Sequence, residues 1–191
     1  MNVKSPKLWL VILLLIAAVW VIGNESLMSG HRVPVSDADN PFALLPADKQ
    51  ISVPDFSLKT PEGDTVKLSK AVADGPVVLD FWATYCGPCR MELPDLDSIR
   101  KDYESKGIHF YAVNANDDAT TVRQFATQTN LGIPMLLDNP PYLSQFLQIN
   151  AIPVTIVIDK RMKIVVALAG YDPNMKNDLP GALDQVLDRN I

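Results

Sequence analysis

Cysteine is nearly absent. The 191 residues contain only Cys86 and Cys89, which excludes the bridge network of a small disulfide-stapled scaffold. Without a second cysteine pair, and with His31 and His109 as the sole histidines, both distant from the first pair, a four-ligand zinc site is not expected and no metal is assigned. Haem attachment would need a histidine directly after Cys89, where Arg90 stands. No dense Lys/Arg stripe interrupts a net charge of −5, which argues against a nucleic-acid partner. There is no internal repeat and no low-complexity tract.

What is present divides unevenly. Lys4 and Lys7 precede an apolar run, Leu8 to Ile22, bracketed by Trp9 and Trp20. Basic residues followed by an apolar run read as a membrane anchor or a signal sequence. Alternating small residues for cleavage are missing at Val21-Ile22-Gly23 and Leu27-Met28-Ser29, so an uncleaved anchor is favoured. The expected division is a cytoplasmic N-terminus at 1–7, the membrane segment at 8–23, a Gly/Ser/Asp/Asn/Pro tether at 24–50 and one folded domain at 51–191. The positive-inside rule then keeps the first residues in the cytoplasm and exports the rest. The expected location is the inner membrane, single-pass, with the domain facing the periplasm or extracytoplasmic space. Within the tether, the apolar patch Phe42 to Leu45 is suited to docking on the domain.

Asp55-Phe56-Ser57-Leu58 and Thr65-Val66-Lys67-Leu68 alternate around a Pro/Gly turn and predict a β-hairpin. The run Pro76 to Trp82, apolar but for Asp80, predicts a buried strand. A helix from Cys86 or Pro88 to Lys106 follows, with a kink expected at Pro94. Further strands are expected at 108–114, 133–137, 154–158 and 163–169, the last two as an antiparallel hairpin. Helices are expected at 119–129, 142–149 and 176–188. Alternating strands and helices that end in a hairpin and a helix indicate an α/β fold around a mixed sheet.

The chemistry concentrates at Cys86-Gly87-Pro88-Cys89. A bridge this short stabilises little: the chain-entropy relation allows at most about 2 kcal/mol, against about 4.7 kcal/mol for a 100-residue loop. Two thiols at the start of a helix suit reversible exchange instead. The helix N-terminus favours the thiolate of Cys86, the reactive form. Cys89, one turn later, would resolve the mixed disulfide. Gly87 permits a tight turn, and Pro88 fits a first helical turn where its missing N–H costs nothing. Zinc binding and inert thiols are the competing readings of a bare C-x-x-C.

The stretch Val77 to Met91, with Asp80-Phe81-Trp82 before Cys86-Gly87-Pro88-Cys89, resembles the active-site region of thioredoxins. The whole layout resembles the membrane-anchored, extracytoplasmic TlpA/ResA/CcmG-like thiol–disulfide oxidoreductases. The shared features are the anchor, the Pro54 to Leu58 hairpin opening, and an extra helix and strand between Ala119 and Leu137. The resemblance, which spans about 51–191, implies a thioredoxin-like fold with an N-terminal hairpin and a central helix–strand insertion. It implies that Asp80 serves as general acid/base for Cys89, and that Glu92 tunes the thiols. The simpler alternatives are an Asp80 paired with a backbone group or a lysine, and a Glu92 that merely favours a helix N-terminus. It also implies a cis peptide at Ile152-Pro153 facing the disulfide, with Ile152 offering its backbone to an extended substrate. Trp82 and Tyr85 are then candidates for an apolar contact surface beside Gly87 and Pro88, or for core packing.

The Gly-Pro pair matches reducing thioredoxins, at about −270 mV, more than strong oxidants, at about −120 mV. The resemblance therefore implies a reductase of disulfide-bearing exported proteins, apocytochromes c among them, fed by a membrane thiol donor. No cofactor beyond the Cys86–Cys89 disulfide is expected. Alternatives are a dithiol oxidant or isomerase, a membrane-tethered binding module and a thiol peroxidase.

Overall fold

In the computed structural model, residues 32–34 and 41–189 are described; the expected anchor at 8–23 and most of the tether lie outside them. No helix among the described residues is long and apolar enough to cross a membrane.

Seven strands form one sheet in the order β2-β1-β5-β4-β3-β6-β7. They are β1 (Ser57–Lys59), β2 (Thr65–Lys67), β3 (Val77–Trp82), β4 (His109–Asn114), β5 (Met135–Leu137), β6 (Val154–Ile158) and β7 (Ile164–Ala169). The helices are α1 (Leu68–Asp74), α2 (Gly87–Tyr103), α3 (Ala119–Thr129), α4 (Leu143–Phe146) and α5 (Met175–Asp188). The sheet is mixed, as expected. β3, β4 and β5 run parallel, while β6 is antiparallel to β3, and β7 to β6. The β1–β2 hairpin joins the sheet through a single antiparallel pair, Lys59 with Leu137. The helix–strand insertion is α3 with β5.

β3 and β6 are buried along their whole lengths, so successive side chains feed two cores on opposite faces of the sheet. Val77, Leu79 and Phe81 pack with Leu68, Val72 and Leu143 on one face. Val78 and Trp82 pack with Leu93, Leu96, Leu179 and Leu183 on the other. Asp80 lies between Val78 and Trp82 and therefore points to the α2 side. The same parity places Thr155, directly opposite Asp80, on the α2 side, because its neighbours Val154 and Ile156 belong to the other core.

α2 runs unbroken through Pro94 from Gly87 to Tyr103. α1 has no counterpart in the sequence reading. Its Lys67 N-cap makes no side-chain cap, and its Ser69 N–H donates instead to Asp55 Oδ1 at 3.0 Å. The Phe42 patch docks: Phe42 is buried in the α2-side core and Leu45 in the other, with the Leu45 N–H donating to the Val165 carbonyl at 2.7 Å.

Candidate active site

The parallel strands β3, β4 and β5 end together, with Trp82 beside Asn114 and Asn114 beside Leu137. The loops that leave their carboxyl ends meet the loop that enters β6, the usual place for a site on an open sheet. Cys86 is the N-cap of α2, where a side-chain acceptor satisfies a free helix N–H. Its sulfur fills that role, accepting from the Cys89 N–H at 3.2 Å. The two cysteines are joined as a disulfide. Cys86 keeps a 7% exposed edge, while Cys89 has none. An incoming thiol or disulfide can therefore reach only Cys86.

The Ile152–Pro153 peptide is cis. The Ile152 carbonyl oxygen stands 3.9 Å from Cys86 Sγ, in contact with a sulfur that has no proton to donate in the bridged form. Beside it opens a groove of about 260 Å³, lined by Tyr85, Asn116, Pro141, Gln145, Asn150 and Ile152 among others. None of its lining side chains is charged. Tyr85 is 69% exposed at its rim, and its hydroxyl accepts from Asn116 Nδ2 at 2.8 Å. Trp82 corrects the sequence reading. It is fully buried and stacks at a tilt on Phe125, centroids 4.6 Å apart, so it offers no surface to a substrate. Of the two aromatic candidates, only Tyr85 faces outward. Gly87 and Pro88 are exposed beside the disulfide in the first turn of α2.

Asp80 and Glu92 come together behind the cysteines, both at 0% exposure. The Thr155 hydroxyl joins them, 3.2 Å from Asp80 Oδ1 and 2.8 Å from Glu92 Oε1. Asp80 thus pairs with neither a lysine nor the backbone. Glu92 is the sixth residue of α2, past its first turn, so the helix-end explanation for it fails. It lies three residues beyond Cys89 and shares that face of the helix. Burial pushes the Asp80 carboxyl well above the usual range, and the neighbouring Glu92 pushes it further. Burial likewise pushes Glu92 up to about 7, helped by the charges of Asp172 and Asp95 and opposed by its hydrogen bonds to Thr155 and Asp80. A carboxyl raised towards neutrality on the same helix face as Cys89 is suited to proton exchange with a thiol.

A second polar cluster holds the loop in front of Cys86. Asp117 Oδ2 accepts from the Thr84 N–H and from Asn114 Nδ2, each at 2.8 Å. Asn114, fully buried, returns its Oδ1 to the N–H groups of Asn116 and Asp117. The adjacent acids Asp117 and Asp118 divide their work. Asp118 caps α3, accepting from the Thr121 N–H at 2.8 Å, but Asp117 serves the active-site loop. Asp117→Ala leaves the Thr84 N–H and the Asn114 amide unpaired, and unfolding in urea is expected to show a loss of about 1–3 kcal/mol. Thr155, Asn114 and Asp117 were not singled out from sequence. Thr155 alone left a trace there, as the one hydroxyl in the apolar strand Val154 to Ile158.

Comparison with known proteins agrees with this geometry. The AhpC/TSA family profile matches residues 50–167. The thiol-disulfide oxidoreductase ResA of Halalkalibacterium halodurans is 33% identical over 115 residues, which span 60% of this chain and 65% of that protein, just under two thirds of its length. The ResA of Bacillus cereus is 29% identical over 133 residues, 70% of this chain and 75% of that one. Among solved structures, a chain described as a thiol:disulfide interchange protein DsbE from Chlorobium tepidum is 29% identical. It superposes with a TM-score of 0.66 over 71% of this chain and 95% of its own. Family profile, thioredoxin-like sheet and the Cys86–Cys89 pair at a helix N-terminus converge: the chain belongs to the AhpC/TSA family and is a thiol–disulfide oxidoreductase.

Proposed function

We propose that this oxidoreductase works as a reductase of protein disulfides, anchored in the inner membrane by its N-terminal segment with the described domain outside the cytoplasm. The observation that carries the reading is the division between the two sulfurs: Cys86 caps a helix at the surface, and Cys89 is sealed beneath it. Such a pair accepts a partner at one sulfur and expels it with the other. The Gly87-Pro88 spacer favours the reducing direction. The uncharged groove beside Cys86 fits an extended segment of an exported protein, and apocytochrome c is one such partner. A membrane thiol carrier would supply the electrons, since an exported reductase has no cytosolic thiol pool to draw on.

The direction is tested by equilibrating the purified domain with dithiothreitol redox buffers and following the Cys86–Cys89 thiols by alkylation. The expected potential is near that of reducing thioredoxins, about −270 mV; a value near about −120 mV would make the protein an oxidant.

A further inference from the structure

A donor count in the buried cluster behind the disulfide does not close if both acids are ionised. A threonine hydroxyl carries one proton and two lone pairs, yet Thr155 Oγ1 lies within hydrogen-bond distance of an oxygen of each carboxyl, 3.2 Å from Asp80 and 2.8 Å from Glu92. Two ionised carboxylates cannot both be satisfied by one O–H. The count closes when one acid carries a proton and donates it to Thr155 Oγ1, while Thr155 donates its own to the other. The outer oxygens, Asp80 Oδ2 and Glu92 Oε2, are buried with no other hydrogen-bond partner, and the two carboxyls also lie close enough to interact directly. The shorter contact is to Glu92, which fits Thr155 donating to an ionised Glu92 and accepting from a protonated Asp80.

We infer that Thr155 is a positioning residue that links Asp80 and Glu92 into a unit holding one proton, so that either carboxyl can exchange it with Cys89 and be recharged through the hydroxyl by the other. The inference rests on the reading of Cys86–Cys89 as an exchange site. In the resolving step the Cys89 thiol gives its proton to the ionised member of the pair. The thiolate attacks Cys86 Sγ, the Cys86–Cys89 bond forms and the bond from Cys86 to the substrate sulfur breaks. The substrate leaves as a thiolate and takes a proton from solvent. Two electrons pass from the dithiol to the substrate, and the unit later returns its extra proton to solvent. The titratable groups on this face are Asp80 from β3 and Cys86, Cys89 and Glu92 from α2. Asp95 of α2 and Asp172, just before α5, act on Glu92 at longer range. Glu92 is thus the member in electrostatic touch with less buried groups, and Asp80 the deep one.

Thr155→Val keeps the shape and removes the hydroxyl; Thr155→Ser restores it. The reduced protein is mixed with oxidised glutathione, and the resolving rate is followed from pH 5 to 9. Thr155→Val is expected to slow that step about tenfold or more and to move the carboxyl limb of the profile to higher pH, with Thr155→Ser within about twofold of wild type. A parallel infrared measurement on the disulfide form follows the stretch of the protonated carboxyl, which is expected to shift in Thr155→Val and return in Thr155→Ser. An unshifted carboxyl band overturns the bridge even if exchange is intact. A slow Thr155→Val whose profile keeps its shape, with a Thr155→Ser equally slow, reduces the residue to packing. A wild-type protein inert to glutathione would instead overturn the exchange reading itself, whatever the infrared band does.

Discussion

Cys86→Ser abolishes disulfide exchange, whereas Cys89→Ser stalls it halfway with the partner still attached. Only Cys86 has an exposed edge, and only its sulfur sits at the end of α2, where it takes the Cys89 N–H. A serine there has no comparable nucleophile to offer, and turnover should fall by about three orders of magnitude or more. Cys89 has no surface, so a bulky protein partner cannot reach it. Removing it leaves the first attack intact and deletes the second. In the native host, Cys89→Ser should accumulate mixed disulfides that dissolve on reduction, and their protein components would identify the substrates. Should Cys86→Ser trap partners while Cys89→Ser does not, the two roles are reversed. Equal activity of both variants would mean that the fold is used as a scaffold.

The two measurements differ in what they ask of the sequence. The Cys-Gly-Pro-Cys motif is local, and so is the apolar strand that feeds it; both were legible because four neighbouring residues and one periodic run define them. All seven strands were placed by alternation or by apolar runs that end at turns, and the closing β6–β7 hairpin was read from its four-residue loop. α1 was not placed, because the group that satisfies its first turn comes from Asp55, fourteen residues earlier. Trp82 was ambiguous because a strand end can face either solvent or core. The insertion decided it by bringing Phe125 of α3 over the ring. The same holds for Thr155 and Asp117. Each gains its role only when the sheet register sets β6 beside β3, or when the β4–α3 turn folds back on the β3–α2 loop. Sequence proximity carries no trace of such pairings, whereas Asp80 stood out because an acid inside an apolar strand requires a reason.

That reason has a cost in stability, and the cost depends on pH in a definite direction. Glu92→Gln and Asp80→Asn are expected to make the oxidised protein more stable than wild type at pH 8, with the advantage gone near pH 4. An acid whose folded pKa is raised keeps its proton in the native state after the unfolded chain has released its own. Stability is therefore complete below the unfolded value and declines as pH rises towards the folded one. For Glu92 the window runs from 4.5 to about 7, a shift of about 2.5 units and a loss of about 3 kcal/mol by pH 8. Glutamine has no proton to lose and no charge to bury, so it escapes that loss. Asp80, more deeply desolvated and facing Glu92, should give a change of the same sign that persists to higher pH. Urea midpoints of the disulfide form at pH 4 and pH 8 measure both effects. Exchange should slow in the same variants, because the neutral amides cannot take the Cys89 proton. Variants that gain stability and lose turnover together would show that burial of these carboxyls serves the chemistry at the expense of the fold. Variants less stable than wild type at both pH values would show instead that Thr155 and its two acids form a structural network whose hydrogen bonds outweigh their desolvation.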